Sequence, residues 1–152
     1  MKERIVYLDS SAIVKRYISE PGSDYVKTLY LSSYTGSVKL AFNIWNIGEV
    51  LGGVLDRARM RKFITDDEYK TAKLRFIRET LRLVKLGILM VMPIKLSILR
   101  SAWTIIENYH IYQADAIQVA TARFVGASEV VTADKKLYQV LINEELNAKY
   151  IG

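Results

Sequence analysis

Cysteine is absent from the 152 residues, so the chain can hold neither a disulfide framework nor a thiolate metal site. That absence agrees with a reducing compartment. Histidine occurs once, as His110 beside Tyr109, and reads as a surface or packing residue before it reads as a catalytic base. Only two prolines, Pro21 and Pro93, and eight glycines are present, which leaves no low-complexity linker where a second domain could be separated. No internal repeat is visible. The longest strongly apolar run, Leu86 to Met92, falls far short of the ~20 residues a helix needs to cross a bilayer, so no membrane segment is expected. The start, Met1-Lys2-Glu3-Arg4, lacks the long apolar core of a signal peptide, and a cytoplasmic location is expected.

What is present is a chain with 51% apolar residues, enough for one sizeable core and one domain over residues 1–152. Lysine and arginine exceed aspartate and glutamate by 22 to 16, a net charge of +6 that favours polyanionic partners such as nucleic acid. Short β-rich runs alternate with helical patterns. Strands are expected at Ile5–Leu8, Val38–Phe42, Leu89–Met92 and Glu129–Thr132, with an edge strand at Ala148–Ile151. Helices are expected near Ser11–Ser19, Ser23–Leu31, from Asn43 or Asn46 to Met60, from Thr65 to Lys85, Leu96–Asn108, Tyr112–Val125 and Lys135–Leu141. Thr65 followed by Glu68 has the spacing of a capping box. Such alternation predicts a three-layer α/β/α sandwich around a mainly parallel sheet of four to five strands. On the long helix Leu74, Ile77, Leu81 and Val84 share one face and are expected to pack inward, while Arg75, Arg78, Arg82 and Lys85 follow one residue later as a basic stripe.

In an open parallel sheet, ligands bind at the carboxyl ends of the strands. Asp9 follows the first strand directly, Asp134 follows the fourth by one residue, Asp115 lies at the start of a helix, and Glu49 lies early in the helix after the second strand. Each aspartate also has an ordinary role, capping free amides at a helix N-terminus. Glu49 sits among Ile47, Gly48, Val50, Leu51, Gly52 and Gly53 with no lysine or arginine within four positions, which implies partial burial without a basic partner. Four carboxylates at one sheet end repel one another by roughly 4 kcal/mol for a pair 4 Å apart at an effective dielectric near 20. They need a cation. Oxygen ligands without histidine or cysteine select Mg²⁺ or Mn²⁺, and such a metal suits phosphodiester hydrolysis.

The segments Val6-Tyr7-Leu8-Asp9-Ser10-Ser11-Ala12, Asn46-Ile47-Gly48-Glu49-Val50, Ala114-Asp115-Ala116-Ile117-Gln118-Val119-Ala120-Thr121-Ala122 and Val131-Thr132-Ala133-Asp134 stand in this order along the chain. In them the chain resembles the PIN-domain family, and more narrowly the VapC-like toxins of toxin–antitoxin pairs, over nearly its whole length. The resemblance implies a metal-dependent ribonuclease with Asp9, Glu49, Asp115 and Asp134 as its catalytic and metal-binding carboxylates. It implies Ser10 and Thr132 as the hydroxyls that orient them, a homodimer, and an antitoxin protein as partner. Two departures stand out. Many relatives carry a further acidic or amide residue after the fourth aspartate, where this chain has Lys135-Lys136, and many have histidine where this chain has Gln118.

Other readings compete. A receiver-type phosphotransfer domain needs an acidic pair after the first strand, and a haloacid-dehalogenase-type phosphatase needs a second aspartate two residues after the first; Ser10-Ser11 satisfies neither. An RNA-processing nuclease that is no toxin, and an inert RNA-binding or scaffold module of the same fold, remain open. For RNA contact the expected residues are Arg57, Arg59, Arg61 and Lys62 together with Arg75, Arg78 and Arg82, although such a stripe is ordinarily a solvated face. Trp45, Trp103 and the ten tyrosines are candidates for base stacking, and most are expected to fill the core or a subunit contact.

Overall fold

Strands that run parallel need a crossover between each pair, and the helices of this chain supply them. A computed structural model describes residues 3–152. The strands β1 (Ile5–Leu8), β2 (Lys39–Asn43), β3 (Leu89–Met92), β4 (Glu129–Thr132) and β5 (Ala148–Tyr150) form one all-parallel sheet in the order β3-β2-β1-β4-β5. Between β1 and β2 run α1 (Ser10–Ile13), which tightens into a 3₁₀ turn at Val14–Arg16, and α2 (Ser23–Tyr34). The second crossover holds α3 (Trp45–Gly48), a π-helical segment Glu49–Leu55, α4 (Asp56–Met60) and α5 (Asp66–Lys85). Then come α6 (Leu96–Tyr109) and α7 (Gln113–Phe124) before β4, and α8 (Lys135–Asn143) before β5.

Side chains alternate across a strand, and here both faces are apolar. Val6, Leu8, Leu40, Phe42 and Val131 point into one core with Ala12, Ile13, Val26 and Phe76. Tyr7, Ala41 and Val130 point into the other with Ile98, Ile105, Ile117 and Leu141. Covering both faces with helices gives the three-layer α/β/α arrangement and removes the sheet's backbone from water.

The long helix begins where its capping box lies. Thr65 Oγ1 accepts from the Glu68 amide at 3.0 Å and Glu68 Oε1 accepts from the Thr65 amide at 3.1 Å. Its inward face differs from the expected one. Ala72, Phe76, Thr80 and Leu83 are buried, whereas Leu74, Leu81 and Val84 are exposed, Leu81 by 65%. The helix carries two apolar stripes, and the one holding the bulky Phe76 opposite the strand residues wins the core. Phe124 at the end of α7 also faces out, and Trp45 and Trp103 are each about half exposed, so neither tryptophan fills the core.

Running outward from β1 to β2 to β3, the chain then returns to pair β4 on the opposite side of β1. The strand order reverses between β1 and β4. At that point the two crossovers diverge and open a crevice at the strands' carboxyl ends.

Candidate active site

Asp9 leaves β1 at this reversal, and Asp134 leaves β4 beside it. Both are helix N-caps. Asp9 Oδ1 accepts from the Ala12 amide at 3.0 Å and from Ser11 Oγ at 2.7 Å. Asp134 Oδ1 accepts from the Lys136 and Leu137 amides at 2.9 and 3.1 Å. The capping role and a place in a charged cluster therefore coincide in these two residues. Leu8 pairs with Val131, which sets Thr132 level with Asp9, and Thr132 Oγ1 donates to Asp9 Oδ2 at 2.7 Å while accepting from the Asp134 amide at 2.9 Å. One threonine ties the two aspartates into a common frame.

Asp9 is 5% exposed. Burial pushes its carboxyl up from 3.8 to about 6, against the hydrogen bonds from Ser11, Thr132 and the Ala12 amide, and the charge of Asp134 pushes it further the same way. Among the described residues no lysine or arginine forms an ion pair with it.

Glu49 is reached from the other side of β1. Ser10 Oγ donates to Glu49 Oε1 at 2.9 Å and accepts from Asn46 Nδ2 at 2.8 Å. Asn46 Nδ2 also donates to Gln118 Oε1 at 2.9 Å, and Tyr7 donates its hydroxyl to the same oxygen at 2.7 Å. Burial, reinforced by the charges of Asp9 and Glu49, holds the Tyr7 hydroxyl well above its ordinary value, so it stays a donor. This chain of buried polar groups runs from the core to the carboxylate. Asn46 sits on the first turn of α3, with its Oδ1 accepting the Asn43 amide at 2.8 Å, while Asn43 Oδ1 takes the Trp45 amide at 2.8 Å. The N-cap position of α3 is Ile44, which makes no side-chain cap, so neither expected asparagine caps the helix: Asn43 holds the Trp45 amide from the residue before it, and Asn46 turns into the core. Glu49 itself opens the π-helical segment, an i→i+5 winding that recurs at functional sites.

Asp115 lies in the first turn of α7, three positions inside its start, and accepts no hydrogen bond among the described residues. It caps nothing. Its carboxyl is raised by burial first, then by the charges of Asp134 and Glu49, with Lys136 pulling the other way. The four carboxylates thus lie within one another's fields around one crevice: Asp9 with Asp134, and Asp115 with both Asp134 and Glu49.

The donor set fits a hard divalent cation. It is all oxygen, it includes a buried carboxylate without an ion-pair partner among the described residues, and it presents half-buried Glu49, Asp115 and Asp134 as well. Among the described residues no three acidic side chains converge on a single ion position, and Ser10, Ser11, Thr132 and the amides of α1 and α8 each engage a carboxylate oxygen. Asn46 and Gln118 were not singled out as supports from sequence alone; their signal was their place within the same motifs as Glu49 and Asp115.

Outside the crevice the expected RNA-contacting residues differ from one another. Arg57, Arg61 and Lys62 are exposed on α4 and the turn after it. Arg59 is engaged, forming an ion pair with Asp56 and lying 4.3 Å from the Tyr69 ring centre. Arg75, Arg78 and Arg82 are exposed along α5, and none is in an ion pair among the described residues. No helix among the described residues is long and apolar enough to cross a membrane.

Comparison with known proteins gives the family and the fold. The PIN domain family matches residues 6–141. Among solved structures, the FitAcB complex from Neisseria gonorrhoeae superposes with a TM-score of 0.62 at 14% identity, covering 94% of this chain and 95% of that one. VapBC2 from Rickettsia felis, bound to a DNA fragment from its promoter, gives 0.61 at 16% identity and covers 96% and 98%. VapC20 from Mycobacterium tuberculosis, a toxin that cleaves the sarcin-ricin loop, gives 0.57 at 14% identity and covers 87% and 92%. At such identities the likeness shows the fold. No curated protein matches the sequence.

Proposed function

The chain belongs to the PIN-domain family, and from that premise we propose that it is a metal-dependent endoribonuclease, the toxin of a VapBC-type toxin–antitoxin pair. The observation that carries the chemistry is Asp9: a buried carboxylate at the sheet's reversal point, in the field of Asp134, with no ion-pair partner among the described residues. Asp9, Glu49, Asp115 and Asp134 would hold Mg²⁺ or Mn²⁺. A cation held there supplies Lewis acidity toward a phosphate oxygen and an acidified water, so the reaction needs no protein nucleophile. Thr132 and Ser11 keep Asp9 oriented, and Ser10, braced by Asn46, does the same for Glu49. The exposed arginines Arg57, Arg61, Arg75, Arg78 and Arg82, with Lys62, meet the RNA backbone; Arg59 contributes less because Asp56 already holds it.

The toxin role and the antitoxin partner rest on the company the fold keeps. VapC20 is a toxin, and a toxin–antitoxin complex from Klebsiella pneumoniae matches at a TM-score of 0.56 and 16% identity. A homodimer belongs to the same proposal, and a monomeric mass by light scattering would remove it while leaving the chemistry intact. The decisive experiment is RNA cleavage by chelator-treated protein with and without added Mn²⁺, beside Asp115→Asn. Asp115 caps nothing, so the variant should keep its fold and lose activity by at least ~10²-fold, the scale on which removing one electrostatic group from a reaction centre acts. Full activity in Asp115→Asn would sink the assignment. RNA that is bound but never cut by the parent protein would instead establish the inert-scaffold reading.

A further inference from the structure

Glu79, midway along α5, is a half-buried carboxylate with an unusual set of partners. Arg16 clasps it with both ends, Nε to Oε1 at 2.9 Å and Nη2 to Oε2 at 3.0 Å. Tyr17 donates to Oε1 and Tyr34 to Oε2, each at 2.9 Å. One guanidinium balances one carboxylate, and the two hydroxyls fill the remaining acceptor directions. The hub is closed and electrically neutral. Around it Tyr17, Arg75, Arg78 and Arg82 line an open cavity of about 260 Å³. Its three arginines are unpaired among the described residues. Two are held by neighbours: the Arg75 guanidinium lies 5.6 Å from the Tyr17 ring centre, and Arg82 stands close enough to Tyr34 to favour its ionised form. A neutral floor, an aromatic wall and three arginines lining one cavity make a site for one multivalent oxyanion.

We propose that this pocket binds a single backbone phosphate of the RNA, at a distance from the bond being cut. The proposal rests on the ribonuclease reading. Tyr17 stands eight residues beyond Asp9 along α1 and its 3₁₀ turn, which at helical rise places the pocket on the order of 12 Å from the carboxylate crevice. A strand seated in both would be held at two points, and the second would fix its direction. The sequence shows Arg75, Arg78 and Arg82 only as a stripe of independent charges; the structure joins them around one cavity, and the two descriptions differ in a measurable way.

The test is RNA binding by fluorescence anisotropy in EDTA, across a range of salt, for the parent chain, each single Arg→Gln variant at positions 75, 78 and 82, and the triple variant. Working without metal keeps it separate from cleavage, so a failure of the catalytic reading leaves this result standing on its own. A shared phosphate predicts that the triple variant binds about tenfold more weakly, that its log–log salt slope flattens by ~0.7, and that the single variants are strongly non-additive. Three independent contacts would flatten the slope by ~2 with additive losses, which overturns the pocket. Unchanged binding in the triple variant overturns it as well, as does a parent chain that binds no RNA. Competition by polyglutamate at the potency of RNA would reassign the pocket to an acidic polypeptide and overturn the phosphate assignment. Melting temperatures equal to the parent's would show that the losses come from the pocket and not from the fold.

Discussion

Asp9 and Glu79 are both carboxylates withdrawn from water, and they are built in opposite ways. Glu79 is penalised by burial, yet Arg16 and the hydroxyls of Tyr17 and Tyr34 outweigh that and hold its carboxyl below the ordinary value of 4.5. Asp9 receives only neutral donors, and burial together with Asp134 pushes it up to about 6. In one case the fold brings its own cation from 63 residues away. In the other it supplies hydroxyls, an amide and a second carboxylate, and among the described residues no ion-pair partner. A site completed internally serves structure, tying the 3₁₀ turn, α2 and α5 together. A site left with net negative charge stores an affinity for a cation from outside, and the cost of burying that charge is carried by the rest of the fold.

Glu79→Gln breaks the comparison from the structural side. It keeps the shape, deprives Arg16 of its counter-charge, and leaves a guanidinium that is 15% exposed without a partner. Stability should fall by about 2 kcal/mol, between the scales for an exposed pair and for breaking one half of a fully buried pair, as read from the urea midpoint. Metal-dependent protection against unfolding should survive, since nothing at Asp9 has changed. Equal loss of both would mean that the two carboxylates belong to one cooperative unit.

Much of the scaffold was legible from local signals. The β-rich runs marked the strands to within a residue or two, and Thr65 with Glu68 marked the start of α5 because a capping box is a contact between residues three apart. Asp9 and Asp134 stood out because their positions relative to the strands follow from sequence order alone. What escaped was whatever depends on contacts across the fold. Leu74, Leu81 and Val84 have the right spacing for a core stripe, but periodicity cannot choose between two apolar faces of one helix, and the face with Phe76 met the sheet. The bracing of Glu49 through Asn46 and Gln118 joins residues 72 apart, and the Arg16–Glu79 pair joins residues 63 apart. The winding of Glu49–Leu55 into a π-helix had only Gly52-Gly53 as a sign, and adjacent glycines more often mark a turn or a weak helix.

The comparison sharpens into opposite pH dependences in protein freed of metal. For Glu79 the folded value lies below the unfolded one, so its stabilisation is complete above pH ~4.5 and is lost as pH falls through the depressed value. For Asp9 the folded value, about 6, lies above the ordinary 3.8, so between those limits the folded state binds the extra proton. Stability therefore falls as pH rises from about 4 through 6, by ~3 kcal/mol for a shift of this size, and Asp115, also raised, adds in the same sense. Asp9→Asn removes the titrating group and should flatten that part of the profile, leaving a variant that matches the parent near pH 4 and exceeds it near pH 7. Adding Mn²⁺ at pH 7 should stabilise the parent in proportion to RT ln(1 + [Mn²⁺]/Kd) and leave Asp9→Asn nearly unmoved. Urea midpoints measured from pH 4 to 8 in EDTA, then repeated at pH 7 with Mn²⁺, decide the matter. A parent profile that is flat or rising with pH between 4 and 6, with Asp9→Asn running parallel to it, would show that Asp9 is an ordinary helix cap whose charge the fold already accommodates.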